Sequence, residues 1–257
     1  MRIAIFSDIH GNSIALDAVF KDINSKGPID AHWLLGDYAA IGFDPVGCLQ
    51  RVAELPNAIF LRGNTDRYLF ENLSLGLDIE EIQNNPAKLS QVFEAHLSFS
   101  WTQGAVASTG WLEWLTNLPL EHRITLPDGT RFLGVHASPG SDDSSGLHPG
   151  QDEATLRELF GRDEADLVFA GHTHVDMDTV LDKKRLINPG SLSNPSPPEL
   201  RASYVLLDAE KSGYKLTHHF VDYDRKAVID EVNRVRHPAA DYINAYMHGD
   251  HLPFWII

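Results

Sequence analysis

The sequence predicts an α/β fold in which short buried strands alternate with helices, and two observations carry that prediction. Short apolar runs recur at residues 3–6, 31–35, 58–61, 131–135 and 167–170, and stretches with helical spacing separate the early ones. These runs also end alike, in Gly, Asp, Asn or His. In open α/β sheets, ligands gather where the strands run out.

Residues 3–6 read as a central strand that ends in Ser7-Asp8-Ile9-His10-Gly11-Asn12. Asp8 and His10 are two apart, so a strand end or extended turn aims both the same way. Residues 13–23 follow as a helix, with Ile14, Leu16, Ala18, Val19 and Ile23 forming its apolar face. The second strand, 31–35, ends in Gly36-Asp37. A short helix over 45–54 then turns Val46, Leu49 and Val52 inward. The third strand, 58–61, ends in Arg62-Gly63-Asn64-Thr65-Asp66-Arg67. An Asn there serves either as a left-handed turn residue or as an oxygen ligand. The strand–helix rhythm breaks over 68–118, which reads as an all-helical cap insertion. Its Trp101, Trp111 and Trp114 read as packing residues.

Beyond the insertion, 123–126 and 131–135 flank Pro127-Asp128-Gly129-Thr130, a hairpin signal, and the second of these strands ends in His136. Residues 141–150 are small, polar and Gly-rich, a mobile loop by composition. His148 in that loop borders the substrate or is simply solvated. A helix over 152–160 leads to the buried parallel strand 167–170, which ends in Gly171-His172-Thr173-His174. Residues 177–181 and 184–187 form a strand pair ending in Asn188-Pro189-Gly190-Ser191. A further hairpin spans 203–208 and 214–223, where His218 and His219 read as structural. Helices over 224–236 and 239–247 form a C-terminal tail within one domain, 1–257. The apolar run 252–257 is expected to dock on its own domain or on a second subunit, the latter making a homo-oligomer.

Composition narrows the function. The 257 residues are 43% hydrophobic, enough for a sizeable core. With 36 acidic and 21 basic residues the formal charge is −15. That argues against charge-driven binding to nucleic acid or to an anionic membrane. A phosphate pocket remains open to it, because bound cations supply local positive charge. Cys48 is the only cysteine, which rules out an intrachain disulfide and a cysteine-based zinc site. No stretch approaches a membrane span, and a cytoplasmic location is the expectation.

The strand ends together present Asp8, His10, Asp37, Asn64, His136, His172 and His174. Two carboxylates, one amide and four imidazoles exceed what one ion needs. Two ions sharing a carboxylate account for them better, and such a pair, about 3.5–4 Å apart, can bind phosphate and generate a hydroxide nucleophile.

These motifs, Asp8-Ile9-His10, Gly36-Asp37, Gly63-Asn64-X-Asp66, His136 and Gly171-His172-Thr173-His174, resemble in order and spread the calcineurin-like metallophosphoesterase superfamily. Asn188-Pro189-Gly190-Ser191 is similar to the segment that follows the last histidines in its small bacterial and archaeal phosphodiesterase-like branch. The resemblance implies a four-layer α/β/β/α sandwich. It implies that Asp8, His10, Asp37 and His174 bind one divalent ion and that Asp37, Asn64, His136 and His172 bind the other, with Asp37 as the bridge. It further implies in-line attack on phosphorus by a metal-bridging hydroxide, with Asp37, Asn64, Asp66 and His136 as the catalytic set. Manganese is the first candidate metal; iron, zinc, nickel, cobalt and magnesium are alternatives.

One position departs from the family pattern. Many members carry His after the Asn, as an aid to the leaving group, where this chain has Thr65. A hydroxyl is a poor general acid near neutral pH. A preference follows for diesters or activated esters, from a small-molecule or nucleotide substrate, over simple alkyl monoesters. Two alternatives remain: a monoesterase or protein phosphatase of the same fold, and a catalytically weak metal-binding scaffold. The metallo-β-lactamase and amidohydrolase patterns do not fit, and neither a P-loop nor a Gly-X-Ser-X-Gly element is present.

Overall fold

The computed structural model describes residues 1–71 and 87–250. Its strands are β1 (Arg2–Phe6), β2 (Ala31–Leu34), β3 (Ala58–Phe60), β4 (Glu121–Thr125), β5 (Arg131–Val135), β6 (Leu167–Ala170), β7 (Asp176–Leu181), β8 (Lys184–Pro189), β9 (Ala202–Glu210) and β10 (Gly213–Val221). Its helices are α1 (Ser13–Ser25), α2 (Pro45–Ala53), α3 (Asn64–Arg67), α4 (Ala87–Ser108), α5 (Trp111–Thr116), α6 (Glu153–Phe160), α7 (Arg225–Arg234) and α8 (Ala240–His248).

The strands form two five-stranded sheets, ordered β10-β9-β1-β2-β3 and β4-β5-β6-β8-β7. The two-residue period of each strand sends alternate side chains to opposite faces. Ile3, Ile5, Trp33 and Leu35 of the first sheet meet Phe132, Leu167, Phe169 and Ile187 of the second in a central apolar layer. Trp33 is 2% exposed and stacks on Phe132 with ring centroids 4.3 Å apart. Burying a Trp this way is worth roughly 3–5 kcal/mol relative to Ala. Ala4, Phe6 and Leu34 point outward instead, beneath α1 and α2. Leu133, Val135 and Val168 point outward from the second sheet onto Leu156 and Phe160 of α6. The layers therefore run α/β/β/α.

Side-chain caps start four of the helices. Asn12 accepts from Ala15 N (3.0 Å), Asp44 from Gly47 N (3.0 Å), Asp152 from Thr155 N (2.8 Å) and Asp224 from Ala227 N (2.9 Å). Each cap contributes about 1 kcal/mol.

Strand register places the functional turns. β1 and β2 are parallel from Ile3↔Ala31 to Phe6↔Leu34, and β2 pairs in parallel with β3. The turns bearing Asp8, Asp37 and Asn64 therefore leave the same edge of the first sheet. β5 and β6 are parallel from Phe132↔Leu167 to Val135↔Ala170, which brings the turns after His136 and Gly171 to one edge of the second sheet. These two edges face each other.

In the stretch read as an insertion, the described residues form α4 and α5; residues 72–86 lie outside them. Trp114 packs edge-on against Tyr38 (5.5 Å) and Phe60 (5.1 Å), and Trp101 against His237 (4.7 Å), so these aromatics are packing residues. The apolar run 252–257 also falls outside the described residues. The 141–150 loop lacks regular structure, yet it is anchored more firmly than its composition implies. Asp142 and Leu147 are buried, and Leu147 O accepts from Thr173 Oγ1 (2.6 Å) and Asn188 Nδ2 (3.0 Å). Among the described residues no helix is long and apolar enough to cross a membrane.

Candidate metal centre

The seven expected side chains converge where the two sheet edges meet. Asp8, His10, Asp37 and His174 each offer a ligand atom, all within 4.8 Å of one another. His10 Nε2 lies 3.0 Å from His174 Nε2, 3.7 Å from Asp37 Oδ2 and 3.9 Å from Asp8 Oδ1. His174 Nε2 is 3.4 Å from Asp8 Oδ1. On the other side of Asp37, His136 Nε2 lies 3.5 Å from Asp37 Oδ2 and 3.0 Å from Asn64 Oδ1. His172 Nδ1 is 3.1 Å from the same Asn64 oxygen. Two clusters thus share Asp37.

The chemistry of this donor set fits cations. His10 Nδ1 faces Ala40 O (3.2 Å) and His136 Nδ1 faces Leu35 O (2.8 Å). A proton at each Nδ1 leaves Nε2 as a lone pair aimed inward. Two imidazole Nε2 atoms 3.0 Å apart repel unless a proton or a cation lies between them. Asp8 Oδ1 is buried without a hydrogen-bond partner, although Asp8 Oδ2 accepts from His172 N (3.1 Å). Burial, and then the Asp8 charge, push the Asp37 carboxyl up to about 8. Burial penalises the Asp8 charge too, but His174, His136 and His10 together hold that carboxyl well below the usual range. Burial, aided by His174, takes His10 down to about 3; burial, aided by His136, does the same to His172. Neutral imidazoles beside a carboxyl that resists ionisation are what cations would reconcile.

The local backbone is unusual. Asp8 (φ 59°), His10 (45°), Asp37 (62°), His172 (72°) and His174 (64°) all lie in the left-handed region. The extended turn expected at Asp8 and His10 is therefore a pair of left-handed residues, and these, not strand alternation, aim both side chains inward. Each such residue costs about 1–3 kcal/mol and persists because surrounding contacts over-determine it. Asn64, by contrast, opens α3 and is no left-handed turn residue.

Two glycines make the close approach possible. A Cβ on Gly63 would sit 2.0 Å from Asp37 Oδ1, and one on Gly171 would sit 2.1 Å from Ser7 Oγ and 2.9 Å from Asp8 Oδ2.

Asp66 stands behind the centre and is fully buried. Its Oδ2 accepts from Asp37 N (2.8 Å) and Gly63 N (2.9 Å), and its Oδ1 from Tyr38 N (3.0 Å). Those bonds make it the residue that ties the Asn64 turn to the Asp37 turn. Thr65, 7% exposed, donates its backbone N–H to Asp37 Oδ1 (3.0 Å). His148 lies outside both clusters, with Nδ1 2.9 Å from Pro149 O. Asn188 holds the histidine turn through Nδ2, which donates to Gly171 O (3.0 Å) and Thr173 Oγ1 (2.8 Å). Sequence reasoning passes over Asp142, Arg62 and Ser191. Ser191 Oγ donates to Asp8 O (3.1 Å), and its place in the Asn-Pro-Gly-Ser segment was the one available signal.

The profile of the calcineurin-like phosphoesterase superfamily domain matches residues 1–212. The chain is 29% identical over 255 residues to the uncharacterized protein MJ0912 of Methanocaldococcus jannaschii, covering 92% of this chain and 93% of the relative. Its fold is similar to that of a metallophosphoesterase from Sphaerobacter thermophilus, at a TM-score of 0.75 and 24% identity, over 98% of this chain and 100% of that one. It is also similar to the hypothetical protein PH1004 from Pyrococcus horikoshii OT3, at a TM-score of 0.78 and 20% identity, over 96% and 98%. The chain therefore belongs to the calcineurin-like phosphoesterase superfamily, whose members are hydrolases acting on phosphate esters.

Proposed function

We propose that this chain is a phosphodiesterase that works with two divalent ions. The carrying observation is the pair of clusters sharing Asp37, with His10 Nε2 at 3.7 Å and His136 Nε2 at 3.5 Å from the same Oδ2. In this reading Asp8, His10, Asp37 and His174 hold one ion, and Asp37, Asn64, His136 and His172 hold the other. The ions supply charge neutralisation at the phosphoryl oxygens and activation of water as the nucleophile. Manganese is the first candidate, since mixed carboxylate, amide and imidazole donors suit borderline divalent ions.

The protein's own groups do the rest. His10 and His136 are fixed in one tautomer by Ala40 O and Leu35 O, so their orientation needs no reorganisation when substrate arrives. Asp66 holds the Asp37 and Asn64 turns in mutual register. Thr65 gives the departing oxygen no acid near neutral pH, so the leaving group must be stable on its own. That favours activated esters and phosphodiesters, with a small-molecule or nucleotide phosphate ester as the substrate class and the cytoplasm as the location.

The test is hydrolysis of bis(p-nitrophenyl) phosphate beside p-nitrophenyl phosphate and an alkyl monoester, with metal-stripped protein and after addition of Mn²⁺. Faster Mn-dependent cleavage of the diester supports the proposal. Faster cleavage of the alkyl monoester contradicts it.

A further inference from the structure

We infer that Asp142 is a positioning residue that sets the affinity of the Asn64 half of the centre; this rests on the two-ion reading above. Asp142 is 5% exposed and belongs to neither ligand cluster. Arg62 Nε donates to its Oδ2 at 2.8 Å, and Arg67 Nε donates to Oδ1 at 3.0 Å and to Oδ2 at 3.2 Å. Arg62 and Arg67 bracket the turn Gly63-Asn64-Thr65-Asp66. One buried carboxylate therefore grips both ends of the segment that carries Asn64.

The same carboxylate follows His136 in the chain by one short closed turn. The chain between them is closed by Ser138 N donating to Ser141 O (3.1 Å) and Ser141 N donating to Ser138 O (3.0 Å). This matters because β3 and β5 lie in different sheets, and no strand pairing joins them. Asn64 Oδ1 must still meet His136 Nε2 at 3.0 Å and His172 Nδ1 at 3.1 Å, both on the second sheet. Asp66 fastens the Asn64 turn to its own sheet; Asp142 fastens it across to the other. Arg67 Nη1 and Nη2 also donate to Glu71 Oε2 and Asp143 Oδ2, each at 2.9 Å, so all three nitrogens of its guanidinium are engaged by carboxylates. None of these bonds reaches Asp8, His10 or His174.

The effect of breaking the clamp is therefore selective. Groups that orient metal ligands typically change affinity about 10- to 100-fold when removed. The experiment is a Mn²⁺ titration of metal-stripped full-length protein, with free Mn²⁺ read by electron paramagnetic resonance. Wild type takes up two ions. Asp142→Asn keeps one at wild-type affinity and loses about 10- to 100-fold on the other. Equal weakening of both ions, or none, overturns the inference. If Asp142→Asn does not fold, Arg67→Gln retains the Arg62–Asp142 pair and is expected to show a smaller loss confined to one ion; a uniform loss again overturns it. Asp17→Asn breaks the Arg51 ion pair (2.8 Å) away from the centre and is expected to leave both affinities unchanged. The same selective loss in that variant would reduce the clamp to a general stability effect. A wild type that binds fewer than two ions overturns the two-ion reading itself, a result separable from the behaviour of the variants.

Discussion

Gly63→Ala is the smallest change that reaches the heart of the centre. Gly63 has φ −92° and ψ 168°, an extended conformation open to any residue, so the substitution adds no backbone strain. It adds one methyl group, and that methyl would lie 2.0 Å from Asp37 Oδ1, 2.5 Å from Asp37 N and 2.8 Å from Asp37 Cγ. Ordinary contact begins at 3.4 Å, so the carboxylate or the Gly63 backbone has to move by about 1.4 Å. Overpacking of this kind costs about 1–3 kcal/mol. In a chain of this size each kcal/mol lowers Tm by roughly 2–4 °C. The functional loss is larger, because Asp37 Oδ2 sits between His10 and His136, and a misplacement of about 1 Å in an active site costs on the order of 100-fold. The assay pairs Mn-dependent hydrolysis of bis(p-nitrophenyl) phosphate with thermal unfolding. Gly104→Ala, inside α4 with open space at its Cβ position, is the control, expected to stabilise by about 0.4–1 kcal/mol and to retain full activity. Gly63→Ala protein within threefold of wild-type turnover would refute the claim that this contact holds Asp37 in place.

Three further outcomes are expected. Thr65→His places an imidazole at the entrance to α3 and is expected to accelerate hydrolysis of esters with poor leaving groups by at least tenfold, with little gain on nitrophenyl esters; equal changes on both would separate Thr65 from leaving-group departure. Asp66→Asn sets an amide N–H₂ against one of the three backbone N–H groups that the carboxylate now accepts, which costs about 1–3 kcal/mol and lowers Tm in a thermal melt. An unchanged Tm would mean that the turns are held elsewhere. Burial takes His237 down to about 4, and its Nδ1 accepts from Ala239 N (3.2 Å), so protonation breaks that bond. Because the folded value lies below the unfolded value of about 6.5, the unfolded chain takes up the proton first; stability falls as pH drops from about 6.5 towards 4, by at most about 1.4 kcal/mol per pH unit. Urea unfolding across that range should give a shallower decline for His237→Gln than for wild type, and parallel slopes would remove His237 from the acid response.

The convergence of these side chains was legible because each candidate ligand ends an apolar run, and parallel register carries runs of this kind to one sheet edge. Asp8, His10, Asp37 and Asn64 leave the first sheet together; His136, His172 and His174 leave the second. What was not legible is how the side chains are aimed. The left-handed φ at Asp8, His10, Asp37, His172 and His174 follows from tertiary contacts such as Asp8 N donating to Gly36 O (3.1 Å) and His10 N to Asp37 O (2.9 Å), which no local propensity announces. Asp142 was hidden for a related reason. Its partners lie 80 and 75 positions away, so its surroundings in sequence are a polar loop while its surroundings in space are two arginines and a ligand turn. Composition describes the first of these environments, and packing creates the second.

The most direct test of the central claim is the number of divalent ions retained per chain, read by elemental analysis after metal-stripped protein is loaded with Mn²⁺ and passed through a desalting column. Two ions in wild type and at most one in Asp37→Asn are expected, because Asp37 is the single carboxylate shared by both clusters. One ion or none in wild type, or two retained in Asp37→Asn, would contradict a two-ion centre bridged by that residue.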